Sequence, residues 1–261
     1  ISKGFYIQSY GNTNFNALND TFTHKVYNEG IFIKDIRVGE GKEYVSLDKI
    51  SSFLRWSIIT SEDGSFYNHR GFDLDGIRYA MACNIKEKRF ARGGSTLSQQ
   101  LIKNLYLNRN KNITRKFEEF LIVWMIENNA IVSKDRMLEI YLNIIEWGPN
   151  VYGVKDACHF YFNKKPNELS LQEALFLAYI VPRPTKFKWV FEDENHLKPF
   201  MLNSFEFVSQ KMLNRGYITE NDYNSVLNIN QFKLNGEAKK IIAKQDTFPT
   251  DTIDFIDFTE E

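Results

Sequence analysis

Cysteine is scarce in this 261-residue chain, and long apolar runs are missing. The two cysteines, Cys83 and Cys158, lack the spacing of metal ligands, so we expect buried free thiols, with one disulfide as the alternative. The longest apolar runs cover 120–126 and 174–181, far fewer than the roughly 18–20 residues of a membrane-spanning helix. Because the chain starts at Ile1 and not at methionine, we expect that an N-terminal membrane anchor has been removed.

Four common catalytic motifs are also absent from the sequence. They are the dinucleotide-binding Gly-x-Gly-x-x-Gly, the Walker loop, the zinc-binding His-Glu-x-x-His and the hydrolase Gly-x-Ser-x-Gly. The formal net charge is zero, whereas a nucleic-acid-binding domain is usually basic overall. We therefore expect no nucleic-acid partner and none of the four enzyme classes that these motifs mark.

What the chain does have is a local excess of positive charge. Between residues 86 and 116 the only acid is Glu87, and such an excess favours an anionic ligand. The cations of this segment are Lys86, Lys88, Arg89, Arg92, Lys103, Arg109, Lys111, Arg115 and Lys116. The end of the chain is acidic instead, since no Lys or Arg follows Lys244.

The cationic segment contains Arg92–Tyr106, where two glycines precede Ser95 and a run of good helix formers. We expect Ser95 to cap a helix whose exposed N–H groups attract anions. Polar side chains share one face of this helix: Thr96, Gln100 and Lys103. Leucines share another: Leu97, Leu101 and Leu105. The alternative is an ordinary amphipathic surface helix.

Helical periodicity through most of the chain predicts a mainly α fold, with one strand at 31–38. We expect three further helices to be capped by Ser46, Thr114 and Ser133. The first ends near residue 61, so that Glu62 and Asp63 lie at a helix end.

Later helices are predicted from capping boxes and apolar runs. Ser170 and Glu173 form a capping box before the apolar run 174–181, which we expect to be central core. A helix over 197–214 precedes another short one, which Thr219 and Asp222 open.

The segment 72–92 joins an apolar patch to a basic end. This combination suits a membrane surface or an amphiphilic ligand with an anionic head group. The alternative is a buried half-helix followed by a solvated loop.

A carboxylate near an anion site supports two chemistries. In one, Glu62 takes a proton from a sugar hydroxyl while cations hold a diphosphate leaving group. In the other, two carboxylates hydrolyse a glycosidic bond. The cations between residues 86 and 116 favour glycosyl transfer, because hydrolysis gives no reason for them.

Five motifs follow one another in order: EDGSFYNHRG (62–71), GGSTLSQQLIKNLY (93–106), RKFEE (115–119), KDRMLEIYLN (134–143) and GPNVYGVKDACHFYF (148–162). With these motifs, the chain over about 47–184 resembles the peptidoglycan glycosyltransferases of family 51. The segment IEWGPNVYG is most similar to the monofunctional biosynthetic transglycosylases, which are related to the transglycosylase domain of class A penicillin-binding proteins.

The resemblance implies a mainly α, lysozyme-like, two-lobed domain at 46–230 with a small membrane-facing jaw at about 72–92. Residues 1–45 would be an N-terminal extension of unknown role, and 231–261 an acidic C-terminal tail. Neither flanking segment matches the family pattern.

The resemblance also assigns roles to individual side chains. Glu62 would be the general base on the 4-hydroxyl of the acceptor, and three neighbours would shape its loop: Asp63, Phe66 and His69. The donor would be bound by Thr96, Gln100, Lys103 and Asn104. The diphosphate would lie at Arg115, Lys116 and the second catalytic carboxylate, Glu119. Glu119 would either orient these cations or share a divalent cation, Mg²⁺ or Mn²⁺, with the diphosphate. Glu139 and Asn143 would brace the helix beneath the site.

The implied substrates are lipid II and a glycan chain that grows on undecaprenyl diphosphate, with inversion at the sugar carbon. The implied location is the periplasmic face of the cytoplasmic membrane, reached through the jaw and the missing anchor, with other cell-wall synthesis proteins as further partners. A lysozyme-like glycan hydrolase and a catalytically silent scaffold remain the alternatives.

Overall fold

The computed structural model describes residues 14–28, 30–86, 94–107 and 113–243, and these residues are mainly helical, which confirms the predicted fold class. The helices are α1 (Ser52–Glu62), α2 (Leu74–Lys86), α3 (Leu97–Tyr106), α4 (Ile113–Asn128), α5 (Lys134–Ile144), α6 (Val154–Phe162), α7 (Leu171–Ile180), α8 (Pro199–Asn214), α9 (Glu220–Leu227) and α10 (Ala238–Ala243). Short 3-10 helices cover Phe15–Asn19, Leu47–Lys49, Pro166–Glu168 and Pro184–Val190.

Two small antiparallel sheets accompany the helices. Strands β1 (Phe22–Asn28) and β2 (Ile31–Val38) form a hairpin that packs on α5, and the second of them is the strand that the sequence predicts. Strands β3 (Glu146–Gly148) and β4 (Val151–Tyr152) pair across a tight turn that precedes α6.

Helix α7 is the centre of the core, as its apolar sequence predicts. It packs against α1, α8 and α9, and its Phe176 contacts the rings of Tyr161 and Phe232. A helix that is apolar on all sides is stable only when neighbours cover it on all sides. The predicted capping box is confirmed, since the backbone N–H of Ser170 donates to the Glu173 carboxylate at 2.8 Å. Because α1 packs against α7, the core fixes the position of the end of α1.

Three predicted helix starts are wrong. Ser46 precedes only the short 3-10 helix Leu47–Lys49. The backbone is extended at Ile50, and α1 begins at Ser52. Thr114 lies inside α4. Ser95 does not cap α3, because the side chain of Thr96 does so. The caps at Ser133 and Thr219 are confirmed.

Parts of both flanking segments pack into the common core. On the N-terminal side, Phe15, Leu18 and Val38 are buried, and on the C-terminal side Phe232 and Leu234 are buried. The basic end of the jaw at 87–92, the cations Arg109 and Lys111, and the acidic tail after 243 lie outside the described residues.

Cys158 is a buried free thiol, as predicted, and burial raises its pKa. The side chain of Cys83 lies outside the described part of the structure. Within the described residues, each helix is too short or too polar to cross a membrane.

Candidate active site

The loop after α1 is fastened to the start of α3 by one buried carboxylate. Asp63 is 6% exposed and is the last capping residue of α1. Its Oδ2 accepts the backbone N–H of Leu97 at 2.9 Å, and its two oxygens lie 2.9 and 3.0 Å from Nε2 of His69. Because the first N–H groups of a helix have no partner within the helix, a carboxylate at this position also favours the helix dipole. Asp63 and His69 therefore hold the loop that carries Glu62.

Glu62 is reached by a chain of two hydrogen bonds from the core. Nε2 of Gln100 on α3 donates to Oε2 of Glu62 at 2.8 Å. The hydroxyl of Tyr141 on α5 donates to Oε1 of the same Gln100, also at 2.8 Å. The structure thus brings together the predicted base and the predicted Gln100, and it adds Tyr141 behind them.

Burial raises the pKa of Glu62 above that of an ordinary glutamate. The hydrogen bond from Gln100 and the charge of Lys103 act in the opposite direction, and the charge of Asp63 raises the pKa slightly further. A raised pKa lies closer to neutral pH, and a general base is most effective when its pKa is close to the pH at which it works. The position and the raised pKa of Glu62 are compatible with the predicted role in proton transfer.

Lys103 lies near both predicted catalytic carboxylates. Although Lys103 is exposed at the surface, the surrounding protein desolvates its ammonium group and lowers the pKa, and the charges of Glu119 and Glu62 counteract that shift. Arg115 and Lys116 on α4 lower the pKa further by repulsion. Like charges held close together need an anion to offset them. The cations predicted to bind a diphosphate thus lie close enough to act on one another.

Glu119 is buried at 2% exposure and is paired with Lys116 by a hydrogen bond from Nζ to Oε1. Nζ of Lys116 also donates to the hydroxyl of Ser95 at 3.1 Å. This lysine therefore joins the start of α4 to the glycine-rich approach to α3. The described residues contain no cluster of three or more metal-ligating side chains.

Thr96 is not on the exposed polar face that its spacing predicts. It is 3% exposed, its hydroxyl donates to the carbonyl of Gly71 at 2.7 Å, and its Oγ1 accepts the backbone N–H of Gln99. A threonine just before a helix can accept a hydrogen bond from a backbone N–H of the first turn, which has no partner within the helix. Thr96 is therefore a helix cap and not an exposed residue. Gln100 is partly buried on α3, while Lys103 and Asn104 are exposed on that helix.

A buried ion pair beneath the site ties α3, α4 and α5 together. Oε1 of Glu127 accepts from Nζ of Lys134 at 2.6 Å and from the hydroxyl of Ser98. Nζ of Lys134 also lies 4.5 Å from the ring centroid of Phe66, which is buried in the Glu62 loop. Phe66 therefore supports the loop from below, in line with its predicted role.

Glu139 and Asn143 brace the scaffold, as predicted. Oε2 of Glu139 accepts the backbone N–H of Leu47 at 2.7 Å. The amide of Asn143 accepts the backbone N–H of Val45 at 2.9 Å and donates to its carbonyl at 2.8 Å. Both residues tie the segment before α1 to α5.

Apolar side chains are exposed on α2 and at the start of α4. The ring of Phe72 stacks on Phe120 with centroids 4.2 Å apart, so the start of the jaw lies against α4. Among the described side chains of these two helices, the large apolar ones that are exposed are Leu74, Met81, Phe117, Phe120 and Leu121. We call these five residues the apolar surface.

Tyr141 is the site residue that the sequence does not reveal. Its spacing on α5 predicts only an inward-facing core position. The one available signal is chemical, because a buried tyrosine hydroxyl needs a hydrogen-bond partner. The spacing cannot name that partner, since Gln100 is 41 residues away.

A family model and several curated relatives that match this chain all carry the name transglycosylase. The transglycosylase family model matches residues 29–212. A biosynthetic peptidoglycan transglycosylase of Chromobacterium violaceum is 41% identical over 170 residues, which is 65% of this chain and 72% of the relative. The enzyme of the same name from Paraburkholderia xenovorans is 38% identical over 169 residues, 65% of this chain and 68% of the relative.

Among solved structures, penicillin-binding protein 1A from Haemophilus influenzae aligns with 82% of this chain and 22% of its own. The identity is 19% and the TM-score 0.35, a similarity too low to support a conclusion about the fold.

Proposed function

This chain belongs to the transglycosylase family, and from that premise we propose that it polymerises lipid II into the glycan strands of peptidoglycan. The observation that carries the proposal is the position of Glu62. This carboxylate has a raised pKa, a hydrogen bond from Gln100 and a neighbouring cation, Lys103. A base beside cations suits transfer from a donor whose leaving group is a diphosphate.

In the proposed reaction Glu62 accepts the proton of the acceptor's 4-hydroxyl. The freed oxygen forms a bond to the first carbon of the donor sugar on the face opposite the leaving group, so the configuration inverts. The bond from that carbon to the phosphate oxygen breaks, and its electron pair leaves with undecaprenyl diphosphate. A carboxylate must be ionised to take the proton, so the Gln100 donor and the Lys103 charge both support the reactive form.

The leaving group is proposed to lie against Lys103, Arg115 and Lys116. Charge-assisted hydrogen bonds from such groups stabilise the negative charge that develops on a departing diphosphate. Glu119, whose carboxylate is buried, holds the half-exposed Lys116 in place through an ion pair. Alternatively, Glu119 would share Mg²⁺ or Mn²⁺ with the diphosphate, because one carboxylate together with phosphate oxygens is a ligand set that such ions accept. Such an ion would neutralise part of the diphosphate charge.

The apolar surface is proposed to face the membrane in which the lipid tails of both substrates are embedded. Leu74 is 64% exposed, Phe117 62% and Met81 58%, which is costly in water and favourable in the interfacial zone of a bilayer. An enzyme that builds peptidoglycan acts outside the cytoplasm. We place it on the outer face of the cytoplasmic membrane, where other cell-wall synthesis proteins would be its neighbours.

One experiment separates this function from its two rivals. The protein is incubated with labelled lipid II in detergent or vesicles, and in a second tube with finished glycan. The proposal predicts long labelled chains in the first tube and unchanged glycan in the second. Fragments from the finished glycan would indicate a hydrolase, and no change in either tube would indicate a silent scaffold.

A further inference from the structure

Tyr141 is a buried polar side chain to which the mechanism above gives no part. It is 1% exposed on α5, in the layer directly behind Gln100. Its hydroxyl donates to Oε1 of Gln100, and this contact connects α5 to the residue that holds Glu62. A hydroxyl buried this deeply is favourable only when it is hydrogen-bonded, so its orientation is set by its partner.

The Gln100 amide has an acceptor on one side and two donors on the other. When Oε1 accepts from Tyr141, the NH₂ group points the opposite way and donates to Oε2 of Glu62. With the amide reversed, Oε1 would face an ionised carboxylate, which can only accept hydrogen bonds. The NH₂ group would then donate to the Tyr141 hydroxyl, whose own proton would lose the acceptor that Gln100 supplies. The Tyr141 hydroxyl therefore favours the amide orientation that suits an ionised Glu62.

We propose that Tyr141 is a positioning residue for the reaction, which acts on Glu62 through the orientation of the Gln100 amide. The proposal rests on the function proposed above, in which Glu62 is the base. Three residues from α5, α3 and the end of α1 then form one hydrogen-bonded chain that runs from the core to the reacting proton. A chain of hydrogen bonds that ends on a charge is stronger than its separate parts.

The charged groups around Glu62 determine what loss of this chain would do. Burial raises the pKa of Glu62, the Gln100 bond and the Lys103 charge lower it, and Asp63 raises it. Removal of the Tyr141 hydroxyl leaves Oε1 of Gln100 without its donor and lets the amide turn, while Lys103 and Asp63 remain. The carboxyl of Glu62 would then hold its proton to higher pH.

The test is the pH profile of kcat/KM for lipid II in Tyr141→Phe. In this profile the acid limb reports the free enzyme's essential base. We expect the limb to move upward by about 0.5–1 pH unit, with a rate close to wild type on the alkaline side. A limb at the wild-type pH, whether or not the rate falls uniformly, would overturn the proposal.

The matched control is Tyr161→Phe. Tyr161 is equally buried and donates to the backbone carbonyl of Trp147 at 2.7 Å, away from the site. Its loss should lower stability without moving the acid limb, and an equal shift in both variants would count against a specific role for Tyr141.

Gln100→Ala keeps the proposal testable if Tyr141→Phe does not fold. This variant alone should also move the limb upward. Where both single variants fold, Tyr141→Phe added to Gln100→Ala should cause no further shift, because residues that act through one contact are not additive. An unmoved limb in Gln100→Ala, or a further shift in the double variant, would refute the route through Gln100. Failure of the proposed function looks different: wild-type protein would then make no chains, or Glu62→Gln would still make them.

Discussion

Asp63→Asn tests whether one carboxylate holds the catalytic loop to α3. In the native protein this side chain accepts from the backbone of Leu97 and from Nε2 of His69, at 2.9 Å in each case. Asparagine can keep one of these bonds through its oxygen. Its NH₂ group then faces another donor, either the backbone N–H of Leu97 or Nε2 of His69, and cannot accept from it.

A change of tautomer at His69 does not rescue the variant. If Nε2 gives up its proton to accept from asparagine, the proton moves to Nδ1, which is buried and has no hydrogen-bond partner among the described residues. The variant therefore loses charge-assisted bonds and also leaves a donor unpaired. We expect a loss of about 2–4 kcal/mol in the free energy of unfolding. For a chain of this size that corresponds to a Tm lower by about 5–12 °C.

The assay is urea unfolding at fixed pH together with thermal melting. Asp193→Asn is the matched control, because Asp193 also pairs with a histidine, His196, at 2.7 Å, but on the exposed surface. Water replaces an exposed partner at little cost, so the control should change much less. Equal losses in the two variants, or no loss in Asp63→Asn, would refute the idea that burial of this carboxylate fastens the loop.

Two further variants test the cationic site and the core. Lys103→Ala should lower kcat for lipid II by about 10- to 100-fold through loss of charge beside the diphosphate, while the exposed Lys233→Ala leaves kcat unchanged. Equal kinetics in both would count against the cationic site. Ser170→Ala removes the acceptor for the Glu173 N–H at the start of α7, so the free energy of unfolding should fall by about 1 kcal/mol in the same urea assay. A free energy equal to that of wild type would show that this cap does not stabilise the central helix.

Local chemistry predicts much of this fold, because many helix starts depend on residues close in sequence. The boxes at Ser170 and Thr219 need only the residue three positions later, and both form as predicted. Adjacent candidates are harder to separate. By residue type Ser95 is the better cap, yet Thr96 caps α3, and its hydroxyl donates to the carbonyl of Gly71, which is 25 residues away.

The site is predictable where a motif carries the chemistry and hidden where a tertiary contact supplies it. Glu62 lies at the end of α1, as the periodicity of that helix predicts. Tyr141 looks like one more core residue until α5 is packed behind α3. Lys116 lies in a recognised motif, yet its bond to Ser95 depends on how α4 approaches the start of α3.

Stability and activity should separate at Glu62. Because its pKa is raised in the folded state, the native protein binds this proton more tightly than the unfolded chain does. Stability therefore falls as pH rises through the folded pKa, because ionisation of this desolvated carboxylate costs free energy. Glu62→Gln removes that cost and keeps an oxygen that can accept from Gln100. We expect its Tm to equal or exceed that of wild type.

The most direct measurement is chain formation from labelled lipid II by Glu62→Gln, beside the exposed Glu194→Gln as control. Loss of the base should reduce polymerisation by a factor of about 100 or more, with the melting transition intact, whereas the control polymerises at the wild-type rate. A folded Glu62→Gln protein that makes chains at nearly the wild-type rate would contradict the assignment of Glu62 as the base.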